Sequence, residues 1–371
     1  MKKIHFLINR TRIVDYLISP LRVNRNQLYE EGYDIKFFFK PKGKFFNCNT
    51  IIFLSKPLFA LMKNDMNPVI TPPNSIIDLL VLAKEKADKV IWLDTSDSTS
   101  VTHFELLPYV DLYLKKHIFK DKSLYKKQFY GGRIFSDYYH NEYGLVDSQP
   151  FNQFFPLEEK YYDKVDLAWN MGIGDTYNAF TKRTKLRLLF PNIFQATYNF
   201  PTVPANSHRN KDIFLRASAN WLRETVVFHR KELIRQLQNM LLDDTELSGS
   251  VSGKIPVGEY RKQMSESKIA FGPFGWGELN IREYEALIMG CLLLRPDISH
   301  MATWPEIFFN GETCVFYSWN FDDLKDKVYY YLENKKERLR IAQNGQDAYL
   351  NTLSDKGMLN FCDWFITQIE K

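Results

Sequence analysis

The sequence predicts an α/β protein made of two parallel-sheet domains that face each other across a central cleft. Three observations lead there. Short apolar runs alternate with helix-period segments through the first half of the chain, the order that builds a parallel sheet covered by helices. A polar stretch with two prolines, NFPTVPANSHRN, then interrupts the alternation around residues 200–210, as an interdomain linker does. Beyond it the pattern resumes, most clearly over residues 268–296, KIAFGPFGWGELNIREYEALIMGCLLLRP. There an apolar run, a glycine-rich turn, a helix-period segment and a second apolar run make a βαβ unit.

Composition sets the outer bounds. A chain of 371 residues is long for one core and suits two domains of ordinary size. Apolar residues at 45% and charged residues at 25% describe a folded globular protein rather than a disordered one. No apolar run approaches the roughly eighteen residues of a spanning helix, and the amino terminus is too short in apolar residues for a signal peptide. A cytoplasmic protein is the expectation. The four cysteines lack paired spacing, which argues against a zinc site and against a disulfide framework. A net charge of +5 without a dense basic block argues against nucleic acid as a partner and leaves room for peripheral contact with the inner face of a membrane.

In the first half, strands are expected at 4–8, 34–39, 50–54 and 89–93, with helices at 20–31, ending at Gly32, and at 75–86. These elements define a first Rossmann-like domain over residues 1–202. The loop after its fourth strand, DTSDSTSVTHFELLPYVD, holds Asp94, Asp97 and His103 at a strand's carboxyl end, where open parallel sheets bind ligands. A carboxylate or imidazole there is placed to take a proton from an attacking hydroxyl, so Asp97 and His103 are the catalytic candidates. Cap and turn duty is the alternative use of the same residues. Further strands are expected at 110–114, followed by Lys115 and Lys116, and at 165–169, followed by a turn with Asn170, Gly172 and Gly174. Between them, 130–144 offers Arg133, Asp137 and His140 as a loop.

In the second half, a strand at 212–215 ends at Arg216, a helix covers 225–240, and Pro256 stands at the first position of another helix. The strand at 268–271 meets Gly272, Gly275 and Gly277, and Gly290 caps the helix that follows. Glycines let a backbone approach a ligand, and unpaired N–H groups of a helix's first turn favour an anion such as a diphosphate. Arg282 and Glu285 share one helix face. A guanidinium suits phosphate oxygens and a carboxylate suits a ribose diol; a surface ion pair is the other reading of the same spacing.

The string G-x-x-x-x-G-E-L-N-I-R-E-Y-E-A-L-I-M-G-C over residues 272–291 resembles the donor-binding region of GT-B glycosyltransferases, especially the group-1-like, CgeB-like and exostosin-like subgroups. The segment EYRKQMSES, residues 259–267, resembles the helix those families place before the strand. The resemblance implies two Rossmann-like domains facing a central cleft, the acceptor held by 1–202, a nucleotide-sugar donor by 203–350, and a closing helix, 351–371, that crosses back to the first domain. It implies that Glu285 binds the ribose, that Arg282 and Arg216 meet the diphosphate, with Arg223 as substitute for Arg216, and that Gly275, Gly277 and Glu278 belong to the donor loop. His300 and Trp304 would border the donor, although a place in the core is the commoner use of a residue such as Trp304. The families' E-x7-E motif wants a carboxylate at position 277, where this chain has Gly277 beside Glu278. The implied activity is metal-independent transfer from a nucleotide-sugar, a substrate and not a cofactor, to a glycan or lipid-linked acceptor, in bacterial envelope polysaccharide or lipopolysaccharide assembly. A nucleotide-sugar epimerase of the same fold and a non-catalytic carbohydrate-binding protein are the alternatives.

Overall fold

The computed structural model describes residues 1–61, 74–149, 151, 153–175, 177, 182–193, 198–251 and 253–371. Its first sheet takes β1 (Lys2–Leu7), β2 (Tyr33–Phe38), β3 (Thr50–Leu54), β4 (Lys89–Asp94) and β5 (Leu112–Lys115), and, past a short β6 (His117–Phe119), β7 (Val165–Leu167). Their order is β2-β1-β3-β4-β5-β7 and every pairing is parallel. Helices cover both faces, so the central strands are apolar throughout instead of alternating, and all five residues of β3 are buried.

The second sheet takes β8 (Lys211–Leu215), β9 (Gly249–Val251), β10 (Ser267–Phe271) and β11 (Leu292–Pro296), and, past β12 (Met301–Thr303), β13 (Val315–Tyr317). Its order is β13-β11-β10-β8-β9, again all parallel. The strand order reverses between β8 and β10, and such a switch point opens a crevice at the carboxyl ends of the strands. Strand β12 leaves this sheet and pairs antiparallel with β6, Met301 opposite Phe119 and Thr303 opposite His117. The ribbon ties the two sheets together.

The helix Asp355–Glu370 reinforces that tie. Phe361 and Phe365 lie 5.6 and 5.9 Å from the Trp169 ring, and Phe365 reaches Phe6 of β1. At its end Glu370 accepts from Tyr33 at 3.0 Å and pairs with Lys2. One apolar core therefore runs from Phe6 and Ile52 of the first sheet to Leu287 and Leu293 of the second, which holds the two in one arrangement more firmly than a polar interface does.

Two local expectations need correction. The helix expected over 20–31 is two short ones, Ser19–Val23 and Arg25–Glu30, and a third, Arg12–Leu17, precedes them. Buried Asp15 pairs with Arg22 and Arg187, and at the break Asn24 donates to the Pro20 carbonyl from its side-chain amide at 2.8 Å and its backbone N–H at 3.1 Å. Pro256 is the N-cap of Val257–Ser265 and not its first residue.

Candidate active site between the two sheets

The site is built on the loop that follows β4. Asp94 is completely buried and accepts from Tyr113 Oη at 2.7 Å, from Ser96 N–H at 2.8 Å and from Lys115 Nζ at 3.2 Å. These bonds fix the loop, so that residues 97–99 press against the glycine turn after β10. A Cβ added to Gly277 would stand 1.7 Å from the Asp97 carbonyl oxygen. Position 277 therefore lacks a side chain because first-domain backbone occupies the space; this closeness also explains why the E-x7-E carboxylate has no counterpart here.

Glu278 points the same way. Its carboxylate is fully buried and accepts from Ser98 Oγ and Thr99 N–H, each at 3.0 Å, with His117 and His300 both 3.9 Å away. Burial by itself pushes this carboxyl up, but His300, His117 and the Thr99 N–H bring it down to about 2. Burial lowers His117 to about 3, so its ring is neutral, and its Nε2 lies 2.9 Å from the Asp97 carbonyl. The donor-binding role expected of Glu278 is thus corrected: the residue pins one domain to the other and faces no cavity.

Beside this seam opens a cavity of about 390 Å³. The helix Ile281–Ile288 forms one wall, but its amino end is occupied by protein. Asn280 Oδ1 accepts from Arg282 N–H at 3.2 Å while Glu283 accepts from Asn280 N–H at 2.8 Å, a reciprocal capping box. Glu283 then turns inward to Arg295 at 3.0 Å, and burial raises its carboxyl to about 7. The expected cradle of free N–H groups is therefore partly spent, and positive charge in the cavity comes from side chains.

Two guanidiniums supply it. Arg282 projects from the first turn with its Nε unpartnered among the described residues. Arg230 reaches in from the helix Glu224–Asp243, held by bonds to the Phe274 carbonyl at 2.7 Å and the Ser218 carbonyl at 3.1 Å, its guanidinium 4.1 Å above the Trp221 ring. Burial, and then the charge of Arg282, lower Arg230 to about 9. A Cβ at Gly275 would meet Arg230 Nη2 at 3.0 Å, so this glycine leaves room for the guanidinium. One turn past Arg282, Glu285 lines the same wall and accepts from Tyr260 Oη at 3.1 Å; burial raises its pKa against the opposing pull of Arg261 and Arg282. Across the gap stand Tyr16 and Asp97. Burial would raise the Asp97 carboxyl, but Lys116 at 3.5 Å and Lys56 at 2.6 Å hold it well below the usual carboxylate range.

Residues 223–354 match a family described as glycosyl transferase-like. This segment is a glycosyltransferase domain. It holds most of the second of the two parallel sheets, set against the first. Solved structures with similar folds include an alpha-glucosyltransferase in complex with UDP and a 13-mer DNA, 11% identical over 100% of both chains at a TM-score of 0.46. Anabaena HepE in complex with UDP-glucose is 8% identical over 99% of this chain and 100% of that one, at a TM-score of 0.43. The C-terminal domain of a group 1 glycosyl transferase from Francisella tularensis is 14% identical over 42% of this chain and 96% of that one, at 0.29. No curated protein matches the chain.

The other expected site residues divide. Arg216 follows β8 as expected, yet its Nε and Nη2 donate to Gln263 Oε1 at 3.2 and 3.0 Å, and it is not among the cavity residues. Arg230 stands where Arg216 was sought. Arg223 sits at the rim, 5.8 Å from the Trp276 ring. His103 is a correction: it is buried in the first domain, 4.6 Å from Phe59 and 6.0 Å from Trp92, away from the cavity. Trp304 packs against the core, stacked on Trp364 at 4.6 Å, and does not line this cavity. The loop expected over 130–144 is largely the helix Ile134–Tyr143, and Arg133 donates from Nε to the Trp276 carbonyl at 2.8 Å.

Proposed function

We propose that the chain transfers a glycosyl group from a nucleotide-sugar to a hydroxyl of a glycan or lipid-linked acceptor, within the assembly of a bacterial envelope polysaccharide or lipopolysaccharide. The observation that carries this reading is the convergence of Arg230, Arg282 and Glu285 on one open cavity beside the second sheet, with Asp97 of the first domain facing them. Two guanidiniums suit a diphosphate, and they stabilise it most as its bond to the anomeric carbon breaks and negative charge collects on the leaving oxygen. Glu285, steadied by Tyr260, is set to accept from a ribose diol. The donor supplies its own leaving group, so the reading invokes no cofactor.

The acceptor enters from the side of Tyr16 and Asp97. A carboxylate held below its usual range is a weak proton acceptor, so the role assigned to Asp97 is to stay ionised and to orient the attacking hydroxyl by a hydrogen bond, while the proton that hydroxyl loses passes to the oxygen of the departing diphosphate. Among the described residues no helix is long and apolar enough to cross a membrane; a lipid-linked acceptor would be met at the membrane surface. The test is a thermal-shift panel of nucleotide-sugars on wild type and Glu285→Ala, followed by incubation with and without acceptor fractions. One donor should stabilise the wild type by a few kcal/mol at saturation and Glu285→Ala by much less. Equal shifts in both proteins would remove Glu285 from the site. A sugar altered without any acceptor would make the protein an epimerase, and no shift with any donor would make it a non-catalytic binder.

A further inference from the structure

A second cavity, of about 440 Å³, lies at the opposite end of the second sheet. Its walls come from the residues just before β8, β10 and β11 and from the helix Lys335–Leu353, and they carry Arg209, Lys268, Lys335 and Arg338. This is the amino-terminal edge of the strands, away from the crevice that holds Arg230 and Arg282.

Two of these cations are buried and make no ion pair among the described residues. Arg209, 8% exposed, donates from Nη1 to the carbonyls of Ser265 and Ser267 at 2.8 and 3.1 Å, and from Nη2 to those of Pro204, Met289 and Gly290 at 3.2, 2.7 and 2.9 Å. Its Nε has no partner among the described residues. Arg338, 6% exposed, donates from Nη1 to the Tyr331 and Leu332 carbonyls at 2.6 and 2.8 Å. Carbonyls at the ends of helices satisfy donors and offer a partial negative charge, yet no carboxylate forms an ion pair with either guanidinium among the described residues. Asp212, whose field reaches Arg338, is bonded to Lys268 at 2.7 Å and to Ser248 Oγ at 2.7 Å. With Asp212 set against Lys268, Arg209, Arg338 and the exposed Lys335 leave three positive charges around one cavity.

Burying a charge away from a paired counterion is unfavourable; burial lowers Arg338, the field of Asp212 raises it, and the charge of Arg209 then lowers it, so the two guanidiniums repel each other. A bound oxyanion would relieve both costs. We propose that this cavity is a second ligand site that takes the phosphate group of a small molecule, separate from the donor cavity and independent of what that cavity binds. Planar guanidiniums and a mobile ammonium together match the several oxygens of a phosphate better than they match a single carboxylate.

Isothermal titration of the full chain with inorganic phosphate, pyrophosphate and a hexose 1-phosphate tests the site. Wild type should bind at least one of them in the millimolar range or tighter. Arg338→Gln should weaken that binding by about 10-fold or more, as loss of a charged hydrogen bond does. Lys335→Gln, which removes an exposed charge and leaves folding intact, should weaken it by about 3-fold. Arg340→Gln, an exposed arginine of the same helix that pairs with Glu337 and does not line the cavity, should leave it unchanged. Preference for the hexose 1-phosphate would mark the natural ligand as a phosphorylated metabolite, and equal binding would mean that the phosphate alone is read; both uphold the site. Absence of binding by all three would overturn it. So would binding that Arg282→Ala abolishes while Lys335→Gln does not, because the anion would then sit in the donor cavity.

Discussion

Glu278 and Glu285 flank the same capped turn and serve opposite surfaces. Glu278 looks back across the seam to Ser98 and Thr99; Glu285 looks into the cavity beside Tyr260. Burial pushes both carboxyls up, but only Glu278 has the N–H and imidazole neighbours that bring it down, to about 2, while Glu285 stays raised. The glycines divide in the same way, Gly277 making room for first-domain backbone and Gly275 for the Arg230 guanidinium. A motif usually read as donor-binding throughout is here shared between joining two domains and shaping a cavity.

Removing Glu278 is the strongest way to break the contrast. Glu278→Ala strands the Thr99 N–H and the Ser98 hydroxyl in the seam, and loss of one buried charged partner costs about 3–5 kcal/mol. Urea denaturation should show that loss, while donor affinity of the protein still folded stays near wild type. A fall in donor affinity with stability intact would return Glu278 to the cavity. The effect is also pH-dependent. Because the folded-state pKa lies below the ordinary 4.5, the stabilisation is full above 4.5 and is lost as pH falls toward about 2; Glu278→Gln should flatten that acid limb. Gly277→Ala comes next. Its methyl would meet the Asp97 carbonyl oxygen, and overpacking at such a seam costs about 1–3 kcal/mol, again read by denaturation.

The same contrast governs what the sequence disclosed. Strand β3 is found at its predicted ends, residues 50–54, because a strand buried on both faces is an unbroken apolar run. Arg282 and Glu285 were legible together because their spacing alone puts them on one helix face. Arg230 was not: an arginine inside a long helix reads as a solvated position, and only the tertiary bonds to Phe274 and Ser218 turn it inward. Arg216 satisfied the positional rule and is claimed by Gln263, a partner 47 residues away. Nothing local revealed the β6–β12 ribbon, since three residues are too few to show a period. Nor could the purpose of Gly277 be read, because the atom that forbids a side chain belongs to residue 97.

On the cavity side the expected effects are smaller and fall on affinity. Arg230→Ala should weaken donor binding by about 30-fold, the cost of about 2 kcal/mol for a charged hydrogen-bonding group, whereas Arg216→Ala should change it by no more than about 2-fold, a part-buried charge held by Gln263 outside the cavity. Titration of both variants with the donor that stabilises wild type would decide between the two arginines; a larger loss at Arg216 would mean that its bond to Gln263 gives way when donor is present.

The mildest test separates the two carboxylates by pH. A ribose diol donates to an ionised carboxylate better than to a protonated one, and burial has already moved Glu285 upward toward protonation. Donor affinity should therefore fall as pH drops through that raised value, by about 3-fold over the first half unit or so below it. The global stability of the protein should not fall over the same interval, because Glu278 is still ionised there and the raised carboxyls of Glu283 and Glu285 favour the folded state as they take up protons. Glu285→Gln should bind more weakly at neutral pH and show no such limb. If its affinity declines in parallel with wild type on acidification, the titrating group is elsewhere, and Glu285 shapes the cavity without accepting from the ligand.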